Sequence, residues 1–152
     1  MRNLILLLFA IMIISCGNQK KLVGEQTNIS IYHQWELVNI KGENIDKNAM
    51  PKLVQITFNE EENRFFGSDG CNQVSGGFEI SQNSLKFGPS MGTKMACMDM
   101  HIPDLFGQTL SKVNSFKTKK IKNGEVLETT LELLDKDGQI LMLFELKSFS
   151  KD

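Results

Sequence analysis

The sequence predicts a mainly β protein of the α+β class: a strongly bent antiparallel sheet, or partial β-barrel, with one packed helix near residues 103–114. Three observations predict it. Apolar and polar residues alternate through several short segments, the signature of half-buried strands. Clusters of Gly, Asn, Asp and Ser separate those segments at short intervals. One segment alone carries apolar residues at helical spacing.

The strands are read in chain order. His33–Val38 is the first, with Trp35 and Leu37 on one face. Leu53–Phe58 follows, with Val54, Ile56 and Phe58 pointing one way. The acidic run Glu60-Glu61-Glu62 with Asn63 is a polar turn into a third strand, Arg64–Gly67. A glycine-rich bend, Ser68–Gly77, comes next; Gly70 supplies a positive φ cheaply and Asn72 can bond its own backbone. Phe78–Ile80 and Leu85–Phe87 form a hairpin across Ser81-Gln82-Asn83. Phe116–Ile121 turns at Lys122-Asn123-Gly124 into a strand with Leu127, Thr129, Leu131 and Leu133 in alternation. Asp135-Lys136-Asp137-Gly138 then leads to Ile140, Met142, Phe144 and Leu146. The helix is read from Ile102, Leu105, Phe106, Leu110 and Val113. Pro103 suits its first turn, where a missing N–H costs nothing, and Asp104 complements the positive end of its dipole. A single helix of this kind covers apolar surface that an open sheet would expose.

The first residues read as an address. Arg2 precedes an unbroken apolar run, Leu4–Ile14, of signal-peptide length and short of the roughly 20 residues a spanning helix wants; an uncut N-terminal anchor is the rival reading. The run ends Ile13-Ile14-Ser15-Cys16-Gly17 and resembles the bacterial lipobox. That resemblance implies a signal peptide over 1–15, a diacylglyceryl thioether on Cys16, and usually a further acyl chain on its freed amine. Two or three chains hold a protein to a bilayer where one does not. Residues 16–30 are then a lipidated cysteine and a polar, flexible tether, and 31–150 the folded domain. Gly17 after Cys16 resembles lipoproteins sent on to the outer membrane, facing the periplasm.

The chain of 152 residues has a formal net charge of −1, and loss of Arg2 with the leader makes it −2. Such a balance argues against nucleic acid as a partner, which calls for a basic stripe. With Cys16 lipidated, Cys71 and Cys97 remain. In an oxidising compartment an even pair usually forms a disulfide; two buried thiols and a thiol metal site are the rival readings.

No catalytic constellation is legible. His33 and His101 are the only imidazoles, and no acid pattern marks either as a base. The glycine cluster at 70–77 lacks the lysine of a phosphate loop. No cofactor is expected. Met91–His101 is dense in methionine, and Met98, Met100 and His101 are chemically suited to Cu(I), although methionine is equally a flexible core filler.

Trp35-Glu36-Leu37 opening a strand, Gly70-Cys71-Asn72 with Ser75-Gly76-Gly77-Phe78, Leu85-Lys86-Phe87, and Thr93-Lys94-Met95-Ala96-Cys97 together resemble the META domain, the family of HslJ-like heat-inducible lipoproteins. The resemblance covers roughly residues 32–149. It implies a β-rich domain, common on bacterial envelope lipoproteins. Heat response and novobiocin tolerance are linked to one branch and virulence to a protozoan one. It implies no enzymatic activity. It supports the pairing of Cys71 with Cys97 and makes Trp35, Gly70, Asn72, Gly76, Thr93 and Met95 family positions, with Met95 in the core. The sequence thus points to a non-enzymatic envelope lipoprotein, held to the membrane by acyl chains and binding an unidentified envelope protein. The alternatives are a methionine-based copper-handling protein and a protease inhibitor presenting the bend at 70–77 as an exposed, rigid loop.

Overall fold

The computed structural model describes residues 29–123 and 126–147. The expected signal peptide, Cys16 and most of the tether lie outside the described residues. Ile29, near the end of that tether, already rests on the domain: its carbonyl accepts a hydrogen bond from the Thr118 hydroxyl at 3.1 Å.

Among the described residues nine strands form one antiparallel sheet, and a single helix joins the sixth strand to the seventh. They are β1 (Gln34–Ile40), β2 (Glu43–Asn44), β3 (Val54–Asn59), β4 (Arg64–Asp69), β5 (Gln73–Ser81), β6 (Ser84–Gly92), α1 (His101–Leu110), β7 (Ser115–Asn123), β8 (Val126–Leu134) and β9 (Ile140–Leu146). The strand order is β2-β1-β3-β4-β5-β6-β7-β8-β9, and β1 also pairs with β9. The sheet therefore curls until its two sides meet. Closure is weakest between β6 and β7, where Ser84 opposite Ser115 is the one register pair among the described residues. The result is a strongly curved sheet rather than a regular barrel, in agreement with the class read from sequence.

The core lies inside the curl. Trp35, Leu37, Ile56, Phe65, Leu85, Leu131, Leu133, Met142 and Phe144 are all fully buried. Alternation puts Trp35 and Leu37 on the inner face of β1. Ile40 is also buried although it is out of phase with them; the register with β9 shifts between Leu37 and Asn39. That β-bulge adds one residue and turns Ile40 back inward. Phe58, Phe65, Phe78 and Phe87 pack edge to face or tilted, with centroid separations such as 5.1 Å for Phe65–Phe87. Gly76 is needed beside them, since a Cβ there would sit 2.7 Å from Phe65 Cε1.

Three elements differ from the sequence reading. The helix begins two residues earlier and ends four earlier than expected. Asp99 Oδ1 accepts the His101 N–H at 2.8 Å and opens it, while Pro103 stays within the first turn. Ile102, Phe106 and Leu110 face the core as expected, and Val113 is buried from the turn beyond the helix. The bend expected over 68–77 contracts to residues 70–72, because Gln73–Gly77 belong to a long β5. Finally β6 runs past Phe87 through Pro89 to Gly92. Its far half pairs only with β5, so Pro89 stands on a free edge where no ladder donor is required.

Candidate functional site

The family-like residues assemble at one end of the sheet, around the three-residue turn between β4 and β5. Asp69 begins it. Its Oδ1 accepts the N–H groups of Cys71 at 2.9 Å and Asn72 at 2.6 Å. Gly70 follows with φ +100°, and its N–H is taken by Ser68 Oγ at 3.2 Å. A Cβ at Gly70 would also meet Met50 Sδ at 2.6 Å, so conformation and space both select glycine. The N–H of Gln73 goes to Thr93 Oγ1 at 3.2 Å. Four successive N–H groups are therefore satisfied within the protein. An anion cradle of the phosphate-loop kind needs them free, so the turn is not one.

Asn72 plays a different part from the one its sequence suggests. The turn is closed by Asp69, and the Asn72 side chain reaches across to the segment after β6. Its Oδ1 accepts the Thr93 hydroxyl at 3.0 Å and the Met95 N–H at 2.7 Å. Two residues on, Cys97 is joined to Cys71 in a disulfide with the Cα atoms 6.1 Å apart. The pairing anticipated for these cysteines is present, and it excludes a thiolate metal ligand at either. Together the asparagine and the disulfide fasten residues 93–97 to the turn at two points.

What they fasten is unusual. Residues 93–100 form no regular strand or helix, and none is fully buried. Met95 was expected in the core, but its side chain is 50% exposed; the clasp holds its backbone, and Lys52 Nζ lies 4.0 Å from its sulfur. Met98 projects completely into solvent.

This fastened segment is one wall of a groove of about 670 Å³. The opposite wall is β2 and the loop that follows it, with Glu43, Asp46 and Met50; Gly70 contributes from the turn and His101, Ile102 and Pro103 from the helix start. His101 Nε2 lies 2.9 Å from Glu43 Oε2 and ties the helix to β2 across the groove. That hydrogen bond, with the nearby charges of Glu43, Asp99 and Asp104, raises the His101 pKa above its ordinary value. The lining contains no hydroxyl group and no free thiol.

Trp35 and Gly76, the remaining family-like positions, belong to the core; Trp35 Nε1 donates to the Ile31 carbonyl at 2.7 Å and seals the segment before β1. Of the residues read as a copper set, His101 shares its Nε2 with Glu43 and Met98 is fully exposed. Among the described residues no three His, Cys, Asp or Glu side chains converge on a metal position. The bend at 70–77 is not the exposed loop that the inhibitor reading assigned to it, because residues 70–72 are buried and 73–77 belong to β5. Among the described residues no helix is long and apolar enough to cross a membrane.

Sequence reasoning missed Glu43, Asp46 and Met50. Residues 41–52 have no periodic pattern and carry only scattered turn formers, Gly42, Asn44, Asp46, Asn48 and Pro51; Lys41 and Gly42 adopt φ of 48° and 87°.

No curated protein matches the chain in sequence. Two solved structures share its fold. An NMR structure of a protein from Burkholderia xenovorans aligns with a TM-score of 0.59 at 18% identity, over 78% of this chain and 83% of that one. A second NMR structure aligns with a TM-score of 0.52 at 19% identity, over 76% of this chain and 90% of that one. The model of the META domain matches residues 27–148, nearly all of the chain beyond the expected leader and tether, and the protein belongs to that family.

Proposed function

We propose that the protein is a non-enzymatic binding module of the bacterial cell envelope, tethered by lipid on Cys16 and holding an envelope protein in the groove beside its disulfide. The observation that carries this reading is the clasp. A disulfide and an asparagine hydrogen-bond pair are spent on residues 93–97, a segment that contributes little to the core. Immobilising an exposed segment costs conformational entropy and gains little burial. It is useful where the segment must meet a partner already in its bound shape. The groove's chemistry supports binding over covalent catalysis: its histidine is paired with a carboxylate and has no hydroxyl or free thiol beside it to activate.

The lipobox supports the location, and the family supports an envelope-integrity or stress-related role. The polar tether lets the groove work away from the bilayer. In living cells, a photo-crosslinking amino acid at Met98 is expected to trap a discrete envelope protein, while the same group at Glu79 traps none. Cys16→Ser is expected to leave the chain unprocessed or released from the membrane and to abolish the crosslink. A Cys16→Ser protein that is still cleaved before residue 16 and still membrane-held, or equal crosslinking from both positions, would refute the proposal.

A further inference from the structure

We infer that the groove takes an extended protein segment bearing an apolar side chain flanked by lysine or arginine. This rests on the binding role just proposed and names the chemistry of its partner. Three features of the groove carry it.

The first is the apolar floor. Met50, Ile102 and Pro103 line the groove, with Ala49 and Ala96 on its sides. Its volume, about 670 Å³, falls in the range of specific ligand sites, roughly 300–1,000 Å³. An apolar anchor therefore has a place to be desolvated, which is where binding energy concentrates.

The second is charge. Glu43, Asp46 and Asp99 lie on the rim, and no lysine or arginine lines the groove. The one basic lining residue, His101, already shares its Nε2 with Glu43. A cationic flank meets complementary charge here and an acidic one meets repulsion, which sets specificity more than raw affinity.

The third is the sheet edge. Among the described residues β2 pairs with β1 and with no other strand, and both of its residues, Glu43 and Asn44, line the groove, so it has one unpaired edge beside it. Such an edge offers main-chain hydrogen bonds to an extended peptide, and a small amine cannot use them. Met98, fully exposed at the rim, adds a flexible thioether able to adapt to different anchors.

The test uses the full lipidated chain in nanodiscs of phosphatidylcholine, a zwitterionic lipid that does not itself attract basic peptides. Fluorescein-labelled Lys-Phe-Lys-Leu-Lys and its glutamate counterpart are titrated by anisotropy. The basic peptide is expected to bind, more weakly as salt rises, and the acidic one to show no saturable binding. Asp46→Asn with Asp99→Asn should weaken the basic peptide about tenfold, as expected for two solvent-accessible ion pairs. Ala49→Trp, which fills the groove, should abolish binding with its far-UV circular dichroism and melting temperature unchanged. Glu79→Lys, on exposed β5 surface, should leave binding unchanged.

Equal affinity for the two peptides, or full binding by a folded Ala49→Trp protein, would overturn the inference. The two failures are separable. A Met98 crosslink that Ala49→Trp abolishes, with no basic peptide bound, defeats the cationic segment and keeps the binding role. Loss of the Met98-specific crosslink in the native chain defeats the role itself.

Discussion

Removing the disulfide by Cys71→Ala with Cys97→Ala is the sharpest test of how the clasp works. The two cysteines are separated by 26 residues. Closing a loop of that length removes chain entropy from the unfolded state worth about 3.5 kcal/mol at 25 °C. For a domain of about 120 residues, the matched span, an unfolding entropy near 2.1 cal/mol/K per residue converts this to a fall in Tm of about 14 °C. Differential scanning calorimetry of native and variant protein measures it directly. The same clasp should then show coupling. Asn72→Ala removes the acceptor of two hydrogen bonds at a nearly buried position and should cost about 2–3 kcal/mol in the oxidised protein. In the cysteine-free protein residues 93–97 have lost their covalent anchor, so the asparagine holds a segment that frays more readily. Its removal should then cost at least 1 kcal/mol less, well beyond the scatter of about 0.3–0.5 kcal/mol seen for independent sites. Additive losses within that scatter would show that the asparagine and the disulfide do not brace a common element. A fall in Tm below about 5 °C would show that the bridge leaves the unfolded chain largely unconstrained.

Two glycines should respond in opposite directions. Gly76→Ala places a methyl group 2.7 Å from Phe65 Cε1 and 3.0 Å from the Pro89 carbonyl, and should destabilise the fold by roughly 1–3 kcal/mol in urea unfolding. Gly107→Ala meets nothing within 4 Å on the helix and should stabilise it by up to about 1 kcal/mol; a loss there would contradict the open surface described. His101 should titrate above the ordinary histidine value, because Glu43 favours its charged form. The sign follows: the pair's support of the fold is complete below the unfolded-state pKa and fades as pH rises through the raised folded value. NMR titration of the His101 ring should show its midpoint falling in Glu43→Gln, and an unchanged midpoint would remove Glu43 as the cause.

Much of the sheet was legible because its inner face is buried and a two-residue period records that directly. Trp35 and Leu37, Val54, Ile56 and Phe58, and Leu131 and Leu133 all lie where alternation placed them. The period fails where geometry breaks it. Ile40 is inward only because of a bulge, and β2 is too short at two residues to carry any pattern. The helix boundaries moved for a similar reason: Val113 is buried by the turn after α1, so burial continued the apparent helical spacing beyond the last helical residue. The groove was the least legible part. Its walls come from β2, an aperiodic loop, a glycine turn and a helix start, and only the tertiary fold brings them together.

The family-like residues were identifiable by spacing, but their purpose was not, because each has an adequate local explanation. A glycine and an asparagine in a turn account for each other, and a methionine beside a cysteine is ordinary core. The structure separates these roles. Asp69, unremarked in the sequence, closes the turn, which leaves Asn72 free to reach a segment 21 to 23 residues away. Thr93 is needed because its hydroxyl both donates to Asn72 and accepts from Gln73, a double role that valine of the same shape could not fill. Met95 is held through its N–H, so the clasp itself places no demand on its thioether. The motif is thus a device for fixing main chain. It places Ala96 and Met98 opposite Met50 and Asp46, and the chemistry of the groove resides in residues outside the motif. A shared motif can therefore preserve the frame of the groove while the lining varies, and under the proposed binding role partner preference falls to Glu43, Asp46 and Asp99 rather than to the clasp.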